Sequence, residues 1–203
     1  MIGPLYVESL SGAEIDVEDE DGRRRPLDAV RWLAPVEGDE AMLSRCTGPT
    51  LDVGSGPGRL TVALTRRGVE ALGIDVTPHA VRLTRQAGGR ALCRDVFGPV
   101  PGAGRWATAL LADGNIGIGG DPVALLRRVR ELVRPGGEVI AEVAPPGTPS
   151  RAGRVRLRHG AVTGPWFRWA GVSASEVPAL ARAGGFTIVS GCEEAGRWFA
   201  FLA

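Results

Sequence analysis

Residues 50–143 alternate between two hydrophobic patterns. Short apolar runs that end at glycine or aspartate are typical of buried strands, and apolar side chains spaced three and four residues apart indicate amphipathic helices. The first pattern predicts strands at residues 50–53, 69–74, 91–92, 106–112 and 138–143, and the second predicts helices at 60–67, 78–86 and 121–134. This alternation predicts a parallel sheet that is covered by helices on both faces.

Two of the predicted helices have a specific start signal. Thr77 and Asp121 each stand directly before a proline, and a Thr or Asp side chain in this position can accept a hydrogen bond from the first helical turn. We therefore predict both residues as N-caps. In the helix after Asp121, Leu125 and Val129 belong to an apolar stripe that should face the core.

The first 46 residues precede this core and have a different pattern. Residues 5–30 predict a hairpin, because apolar and acidic side chains alternate before the strong two-residue turn signal Asp21-Gly22. The acidic and arginine-rich runs on either side of the turn should face each other. We predict a short helix at residues 38–46 that leads into the first core strand. We treat residues 1–46 as an N-terminal unit.

The C-terminal part completes the sheet. Residues 175–184 predict a last helix, and residues 186–190 and 198–202 predict two closing strands. The fold class is therefore α/β, with a seven-stranded, mostly parallel sheet and a C-terminal antiparallel β-hairpin. We assign residues 47–203 to the main domain, with an insertion at about 145–171.

Composition and charge exclude several functions. The chain of 203 residues suits one domain, and its net charge of +1 does not indicate a dedicated nucleic-acid or membrane binder. All 24 basic residues are arginine, which excludes a Schiff-base lysine, a P-loop lysine and a lysine general base. The charge is uneven, since residues 1–45 contain 11 acidic and 5 basic side chains.

Cys46, Cys93 and Cys192 are not clustered and form no CxxC spacing. We expect no disulfide framework, no zinc site and no other bound metal, and we expect each cysteine to be buried. The N-terminus lacks the basic start and apolar run of a signal peptide, and no apolar stretch reaches about 18 residues. These features predict a cytoplasmic protein without membrane contact.

A glycine-rich turn after the first core strand carries the candidate chemistry. Gly54, Gly56 and Gly58 allow a ligand to approach the backbone, and the following helix presents free N–H groups. Asp75 ends the next strand, where a carboxylate can accept hydrogen bonds from ribose hydroxyls. A dinucleotide pattern fails because its third glycine is replaced by an arginine. The carboxylate of Asp52 would repel a pyrophosphate but would favour a ligand with an ammonium and a sulfonium.

The stretch LDVGSGPGRL at residues 51–60 resembles the first motif of the class I S-adenosylmethionine-dependent methyltransferases. The similarity continues at residues 73–75, 94–96 and 132–137 and covers about residues 48–144. The resemblance implies a Rossmann-like fold, S-adenosyl-L-methionine as cofactor and methyltransferase activity. The cofactor-binding residues that it implies are Asp52, Gly54, Ser55, Gly56, Gly58, Asp75, Val76, Asp95, Val96, Ala112 and Asp113.

Within this set the resemblance also implies individual roles. Asp52 and Gly54 would face the amino-acid part of the cofactor, Asp75 would hold the ribose, and Asp95 with the Val96 backbone would meet the adenine. Each residue has a structural alternative. The glycines can be ordinary turn residues, Asp75 can be a helix cap and Asp95 can be a loop carboxylate.

The sequence defines the residues around the methyl acceptor less clearly than those around the cofactor. Because the methyl donor is already activated, alignment of the nucleophile can suffice and a general base is optional. Candidate groups near the reaction are His79, His159, Asp113 and Glu142. We select His159, Asp113 and Asn115 as catalytic residues, and for the last two the alternative is a turn-forming role.

Residues 145–171 are the stretch that resembles the family least. They contain five arginines, one histidine, three large aromatic residues and no acid. We interpret them as a cap over an aromatic or carboxylate-bearing small molecule, with His159 or Arg168 in contact with it. The alternative is a solvated hairpin with an apolar inner face.

The predicted function is methyl transfer to a small-molecule acceptor, for instance in secondary metabolism. The alternatives are an RNA methyltransferase that uses the arginine-rich stretch, a non-catalytic cofactor-binding regulatory subunit and a nicotinamide oxidoreductase. We expect a small-molecule partner and no nucleic acid. The sequence predicts no oligomeric state.

Overall fold

The computed structural model describes residues 3–203. The strands in this range are β1 Asp16–Asp19, β2 Arg24–Pro26, β3 Thr50–Val53, β4 Ala71–Asp75, β5 Ala91–Cys93, β6 Trp106–Leu111, β7 Val133–Val143, β8 Arg151–His159, β9 Val162–Thr163, β10 Phe167–Gly171, β11 Val189–Glu194 and β12 Arg197–Leu202. The α-helices are α1 Pro4–Leu10, α2 Glu40–Leu43, α3 Arg59–Arg66, α4 Pro78–Gln86, α5 Pro122–Leu132 and α6 Val177–Gly184. Short 3-10 helices lie at Val30–Leu33 and Asn115–Gly117.

The large sheet has seven strands in the order β11-β12-β7-β6-β3-β4-β5. The five strands from β7 to β5 in this order run parallel, while β12 is antiparallel to β7 and β11 is antiparallel to β12. This confirms the predicted mostly parallel sheet with its C-terminal antiparallel hairpin. The glycine-rich turn follows β3, which lies between β6 and β4 near the centre of the sheet.

Both faces of the large sheet are covered. On one face Leu111 of β6 packs in the same apolar cluster as Leu125 and Val129 of α5. On the other face Leu110, the neighbour of Leu111 in the strand, packs in a cluster with Leu64 of α3. Successive strand residues therefore enter different cores, as expected for a parallel sheet between two helix layers. The stripe on α5 is fully buried, as predicted.

A second, antiparallel sheet joins the two ends of the chain. Its order is β10-β8-β1-β2, and β9 pairs with β8. The N-terminal hairpin β1–β2 thus pairs with residues from the insertion, which the sequence analysis placed in a different part of the molecule. Helix α1 covers this sheet, with Leu5 and Leu10 in one apolar cluster with Val17 and Leu157.

Close contacts fix the second sheet beside the loop that follows β6. A side chain at Gly117 would overlap the backbone carbonyl of Ala170 in β10. Ile118 forms an isolated antiparallel bridge with Trp169, one residue before Ala170. The second sheet is therefore held next to the carboxyl ends of the central parallel strands.

Several predicted elements were wrong in their type or boundaries. Residues 5–10 form helix α1 and are not part of a hairpin strand, because Leu5, Tyr6, Ser9 and Leu10 are buried at helical spacing after Pro4. The first closing strand begins at Val189 and not at residue 186.

The predicted side-chain features had mixed outcomes. Asp121 caps α5, since its carboxylate accepts a hydrogen bond from the Ala124 amide at 2.9 Å. Thr77 occupies the N-cap position of α4, but its side chain makes no capping hydrogen bond, so that part of the prediction was wrong. Cys46 is buried as predicted, whereas Cys93 is exposed. Among residues 3–203, no helix has the length and apolar character needed to cross a bilayer.

Candidate functional site

A cavity of about 480 Å³ lies between the carboxyl ends of the central parallel strands and the second sheet. The residues predicted from the sequence that line this cavity are Asp52, Gly54, Ser55, Gly56, Asp75, Val76, Asp95, Val96, Ala112, Asp113 and Asn115. Gly58 does not line it, because Gly58 packs against Thr84 of α4, where a side chain would clash. The structure thus brings almost all of the predicted cofactor residues to one place.

The glycine-rich loop at residues 54–58 is held by the loop that follows β6. Gly54 has a φ of +70°, and a Cβ at this position would lie 2.8 Å from Asn115 Nδ2. That amide nitrogen donates hydrogen bonds to the carbonyls of Val53 and Gly54, both at 3.0 Å. Asn115 therefore positions the glycine-rich loop. Its amide nitrogen is used for these two contacts, although the residue also lines the cavity.

Ser55 adds an unused polar group to the same loop. Its Oγ is buried and has no hydrogen-bond partner among the residues described. The hydroxyl faces Gly73 of β4, since a Cβ at Gly73 would lie 2.6 Å from Ser55 Oγ. A buried hydroxyl without a partner is costly. The loop therefore offers a ligand its open backbone, while the Ser55 hydroxyl packs against the sheet.

Asp52 is a carboxylate with almost no contact with solvent. The residue is 2% exposed, and its Oδ2 accepts a hydrogen bond from Thr61 Oγ1 at 2.7 Å. Burial raises the pKa of Asp52 from 3.8 to about 6, although the Thr61 hydrogen bond and the charge of Arg59 oppose this shift. A cation bound in the cavity would stabilise the ionised form.

Asp75 uses its carboxylate to organise two loops. Its Oδ2 accepts a hydrogen bond from the Gly56 amide at 3.0 Å, and its Oδ1 accepts one from the Thr77 amide at 2.7 Å. Burial raises the pKa of Asp75, while the hydrogen bonds from Thr77 and Gly56 oppose the shift. The capping alternative for Asp75 is met only in part, because Asp75 binds the amide of Thr77, the N-cap residue, and no amide of the first turn of α4. A carboxylate accepts about four hydrogen bonds, so acceptor capacity remains for a ligand.

A cluster of charged side chains lies behind the inner wall of the cavity, and we call it the ionic cluster. Its members are Asp39, Arg59, Asp113, Glu142 and Arg197. Arg59 is paired with Asp39 and lies 2.5 Å from Asp113. Arg197 lies 2.9 Å from Asp39 and 2.7 Å from Glu142. The arginine that breaks the dinucleotide pattern is therefore buried and paired, with a side chain that is 4% exposed.

Asp113 is fixed within this cluster by its backbone as well. Its φ is +52°, which is rare for a residue other than glycine. The Asp113 amide donates a hydrogen bond to Glu142 Oε2 at 2.8 Å. Burial raises the pKa of Asp113, and the positive charge of Arg59 opposes the shift. These contacts favour a role in shaping the cavity wall.

Tyr6 of α1 is a site residue that the sequence analysis missed. It is buried, lines the cavity, and its hydroxyl lies 3.1 Å from the position of a Cβ at Gly56. Burial raises the pKa of Tyr6, and the carboxylates of Asp75 and Asp113 raise it further. Tyr6 is therefore a neutral phenol that reaches the glycine-rich loop from helix α1. Its helical spacing in α1 was a signal that the hairpin interpretation overlooked.

The outer wall of the cavity is formed by the second sheet and the segment after β2. The insertion contributes Val155, Leu157, Phe167, Arg168 and Trp169, and the N-terminal region contributes Val17, Arg25, Leu27 and Trp32. The N-terminal region reaches the cavity because β1 pairs with β8 of the insertion. The wall is mainly apolar and aromatic.

Three residues proposed near the reaction are not on the cavity wall. His159 is half-exposed and lies 3.6 Å from Glu8 at the far end of β8. His79 lies beside Arg82 on α4, and Glu142 is held by Arg197. The placement of His159 argues against its predicted catalytic role, since it does not line the cavity. The sequence could not show this, because the direction of β8 depends on its partner strands.

The residues at the inner wall fit S-adenosylmethionine. Asp52 suits its positive charges, Asp75 has acceptor capacity for ribose hydroxyls, and the backbone of Gly54 and Gly56 lines the cavity without side chains. Asp95 lies in the loop after β5, where its Oδ1 accepts a hydrogen bond from the Phe97 amide at 3.0 Å. Within residues 3–203, no group of three or more His, Cys, Asp or Glu side chains is arranged to hold a metal ion.

A protein-family model described as a methyltransferase domain matches residues 51–141. Among curated proteins, no sequence matches significantly. A solved S-adenosylmethionine-dependent methyltransferase from Bacteroides fragilis, in complex with S-adenosyl-L-homocysteine, is 20% identical with a TM-score of 0.78, and the match covers 100% of this chain and 97% of that chain.

Two further solved structures are similar over most of the chain. The CcbJ methyltransferase from Streptomyces caelestis is 16% identical with a TM-score of 0.60, over 81% of this chain and 87% of that chain. The 1,6-didemethyltoxoflavin-N1-methyltransferase from Burkholderia thailandensis, with bound 1,6-didemethyltoxoflavin and S-adenosylhomocysteine, is 23% identical with a TM-score of 0.56, over 80% and 72% of the two chains. Residues 51–141 therefore match a methyltransferase domain, as the sequence motifs predict, and the fold of the chain is similar to that of solved S-adenosylmethionine-dependent methyltransferases.

Proposed function

We propose that this protein transfers a methyl group from S-adenosylmethionine to a small-molecule acceptor bound under the second sheet. The observation that carries the proposal is a single cavity with two different walls. The inner wall has glycines and carboxylates, and the outer wall is apolar and aromatic. Such a cavity has room for a charged cofactor on one side and an organic acceptor on the other.

The inner wall would hold the cofactor through the residues that line it. We assign Asp52, Gly54 and Ser55 to the amino-acid part, Asp75 to the ribose hydroxyls, and Asp95 with the Val96 backbone to the adenine. When bound, S-adenosylmethionine supplies an electrophilic methyl group. The role of the protein is then to hold the acceptor in line and to exclude water.

The chain's own contribution to the reaction is mainly alignment. Asp113 is paired with Arg59 and Asn115 holds the glycine-rich loop, so we assign both to positioning. Phe167, Trp169 and Tyr6 line the cavity and can orient a flat acceptor. Among the described residues, no histidine lines the cavity, so acid–base help from a histidine is not part of the proposal.

Two observations support a small molecule over RNA as acceptor. The cavity lies under the second sheet, and its volume is in the usual range for small-molecule sites. The arginines of β8, on which the RNA alternative depends, are paired with carboxylates of the N-terminal hairpin, Arg154 with Glu20 at 2.6 Å and Arg156 with Glu18 at 2.7 Å. This pairing reduces the charge that a phosphate backbone would meet.

The domain boundaries, the metabolic role and the location in the cell stay predictions. We propose residues 47–203 as the methyltransferase domain, with residues 1–46 and 145–171 together forming the acceptor cover. Secondary metabolism and a cytoplasmic location remain expectations from the sequence. The Burkholderia relative, whose structure contains a bound small molecule, is compatible with this assignment.

The direct test combines binding and turnover. S-adenosylmethionine and S-adenosylhomocysteine should bind the purified protein in calorimetry, and Gly54→Val should remove binding without loss of the circular dichroism signal. Release of S-adenosylhomocysteine should then depend on a member of a small-molecule acceptor panel and not on added RNA. Normal cofactor binding to Gly54→Val would refute the site, and methylation of RNA alone would refute the acceptor class.

A further inference from the structure

The register of the second sheet determines which side chains face the cavity. Val17 of β1 pairs with Leu157 of β8 on one side and with Arg25 of β2 on the other. Directly paired residues in antiparallel strands project to the same face. Because Val17 and Leu157 line the cavity, Arg25 belongs to the cavity face of the sheet, and it is part of the cavity lining.

Arg25 differs from most arginines around it. The arginines of this sheet and its turns that have a carboxylate within 4 Å are Arg23, Arg24, Arg151, Arg154, Arg156 and Arg158. Among the residues described, Arg25 has neither an ion pair nor a side-chain hydrogen bond. Arg168 also lacks a carboxylate partner and is part of the cavity lining, but it pairs in register with Arg154, which places it on the opposite face of the sheet from Val155 and Phe167.

Trp32 provides a second free donor in the same wall. Its indole Nε1 is buried and has no acceptor among the residues described. Trp32 lines the cavity together with Arg25 and comes from the segment that follows β2. Buried indole N–H groups normally find an acceptor, so the Trp32 N–H is a donor that the described residues leave unsatisfied.

The two walls of the cavity also differ in charge. Asp52, Asp75 and Asp113 lie on the inner wall, where a cationic cofactor fits. The outer wall contributes arginine and indole donors, and none of the cavity-lining residues from the second sheet or the following segment is acidic. A negatively charged group on the acceptor would complement this outer wall.

We propose that Arg25 and Trp32 form a subsite for a carboxylate on a planar aromatic acceptor. The inference rests on the proposed function, because it assigns the substrate class of that site. The Arg25 guanidinium can bind a carboxylate through two parallel hydrogen bonds, and the Trp32 N–H can donate a third. The rings of Phe167 and Trp169, whose centroids lie 6.3 Å apart in an edge-to-face arrangement, provide the surface for the planar part.

The test uses matched pairs of compounds that differ only in the charged group. Benzoate and benzyl alcohol, salicylate and salicyl alcohol, and cinnamate and cinnamyl alcohol are titrated by calorimetry into protein saturated with S-adenosylhomocysteine. For at least one pair, the carboxylate should bind about tenfold or more tightly than the alcohol, on the scale of a hydrogen bond to a charged group.

Three variants then show which side chains cause the preference for the carboxylate. Arg25→Gln should remove the preference for the carboxylate, and Trp32→Phe, which keeps an aromatic ring but lacks the N–H, should reduce it severalfold. Arg23→Gln is the matched control, since it removes the same charge from the same hairpin outside the cavity. The affinity for S-adenosylhomocysteine should stay within about twofold in all three variants.

The outcomes separate this inference from the proposed function. If the wild-type protein does not bind S-adenosylhomocysteine, the proposed function itself fails. If it does bind, the subsite is refuted when no pair favours the carboxylate, or when the preference survives in Arg25→Gln. An equal loss of preference in Arg23→Gln also refutes it, because the effect would then be one of net charge.

Discussion

At the scale of single residues, Asp52 links cofactor binding to pH. Burial holds its pKa at about 6 in the free protein, and the positive charges of S-adenosylmethionine should favour the carboxylate. The affinity for S-adenosylmethionine should therefore fall as the pH is lowered through about 6. Calorimetry between about pH 5 and pH 8 checks this, and Asp52→Asn should bind weakly with little pH dependence. A pH-independent wild-type affinity would contradict the prediction.

The same pKa shift predicts an opposite effect on stability. A carboxyl group whose pKa is raised on folding favours the folded state below its unfolded pKa of 3.8, and this contribution is lost as the pH rises through about 6. The difference of about two pKa units corresponds to roughly 3 kcal/mol. Asp52→Asn should therefore unfold at higher denaturant concentration than the wild type near pH 7.5. Equal or lower stability would show that the ionised carboxylate is better stabilised than its burial indicates.

Asp75 should affect both the cofactor and the loops around it. Asp75→Ala removes the acceptor for the Gly56 and Thr77 amides as well as the proposed ribose contact. We expect a loss of about ten- to 150-fold in affinity for S-adenosylhomocysteine, together with about 1–3 kcal/mol in the free energy of unfolding. Glu70→Ala is the control, because that carboxylate lies outside the cavity lining and makes only an exposed ion pair, at 3.6 Å from Arg90. An affinity loss below about twofold for Asp75→Ala would leave only its structural role.

At the scale of elements, the contact between β10 and the loop after β6 should hold the acceptor cover in place. Gly117→Ala adds a methyl group that overlaps the Ala170 carbonyl, so β10 must move. Overpacking of this kind costs about 1–3 kcal/mol of stability, and turnover should fall more than cofactor affinity. Gly171→Ala is a matched control in β10 itself, since a Cβ there meets no atom within 4 Å. Equal effects of the two variants would contradict the role of this contact.

Elements could be predicted from the sequence where their signals are local. The boundaries of α4 and the Asp121 cap follow from neighbouring residues, and the glycine-rich loop follows from its own spacing. The pairing of β1 with β8 could not be predicted, because it joins residues that are far apart in the chain and each strand is compatible with several partners. The missed site residues Tyr6, Arg25 and Trp32 all depend on this pairing or on α1. The catalytic role predicted for His159 lacks support for the same reason, because the direction of β8 depends on its partner strands.

At the scale of the whole molecule, the ionic cluster connects parts of the chain that are distant in sequence. It joins the segment before α2, the start of α3, the loop after β6, and strands β7 and β12. It contains three carboxylates and two arginines, so each arginine is needed to offset buried negative charge. The cluster supports the inner wall through Asp113, which lines the cavity.

Removal of Arg197 should therefore destabilise the whole protein. Arg197→Met keeps much of the side-chain volume but leaves Asp39 and Glu142 without this partner, and breaking a buried pair costs about 3–5 kcal/mol. The hydrogen bond from Arg197 is one of the contacts that lower the pKa of Asp39, so its loss costs stability only while this carboxyl is ionised. The difference in stability between the variant and the wild type should therefore shrink as the pH is lowered towards about 4. Urea unfolding at several pH values measures both effects.

Arg67→Met is the control, because its pair with Glu40 is largely exposed and should matter little. If the two variants are equally stable, or if the Arg197 defect is independent of pH, the cluster does not support the inner wall through its charges.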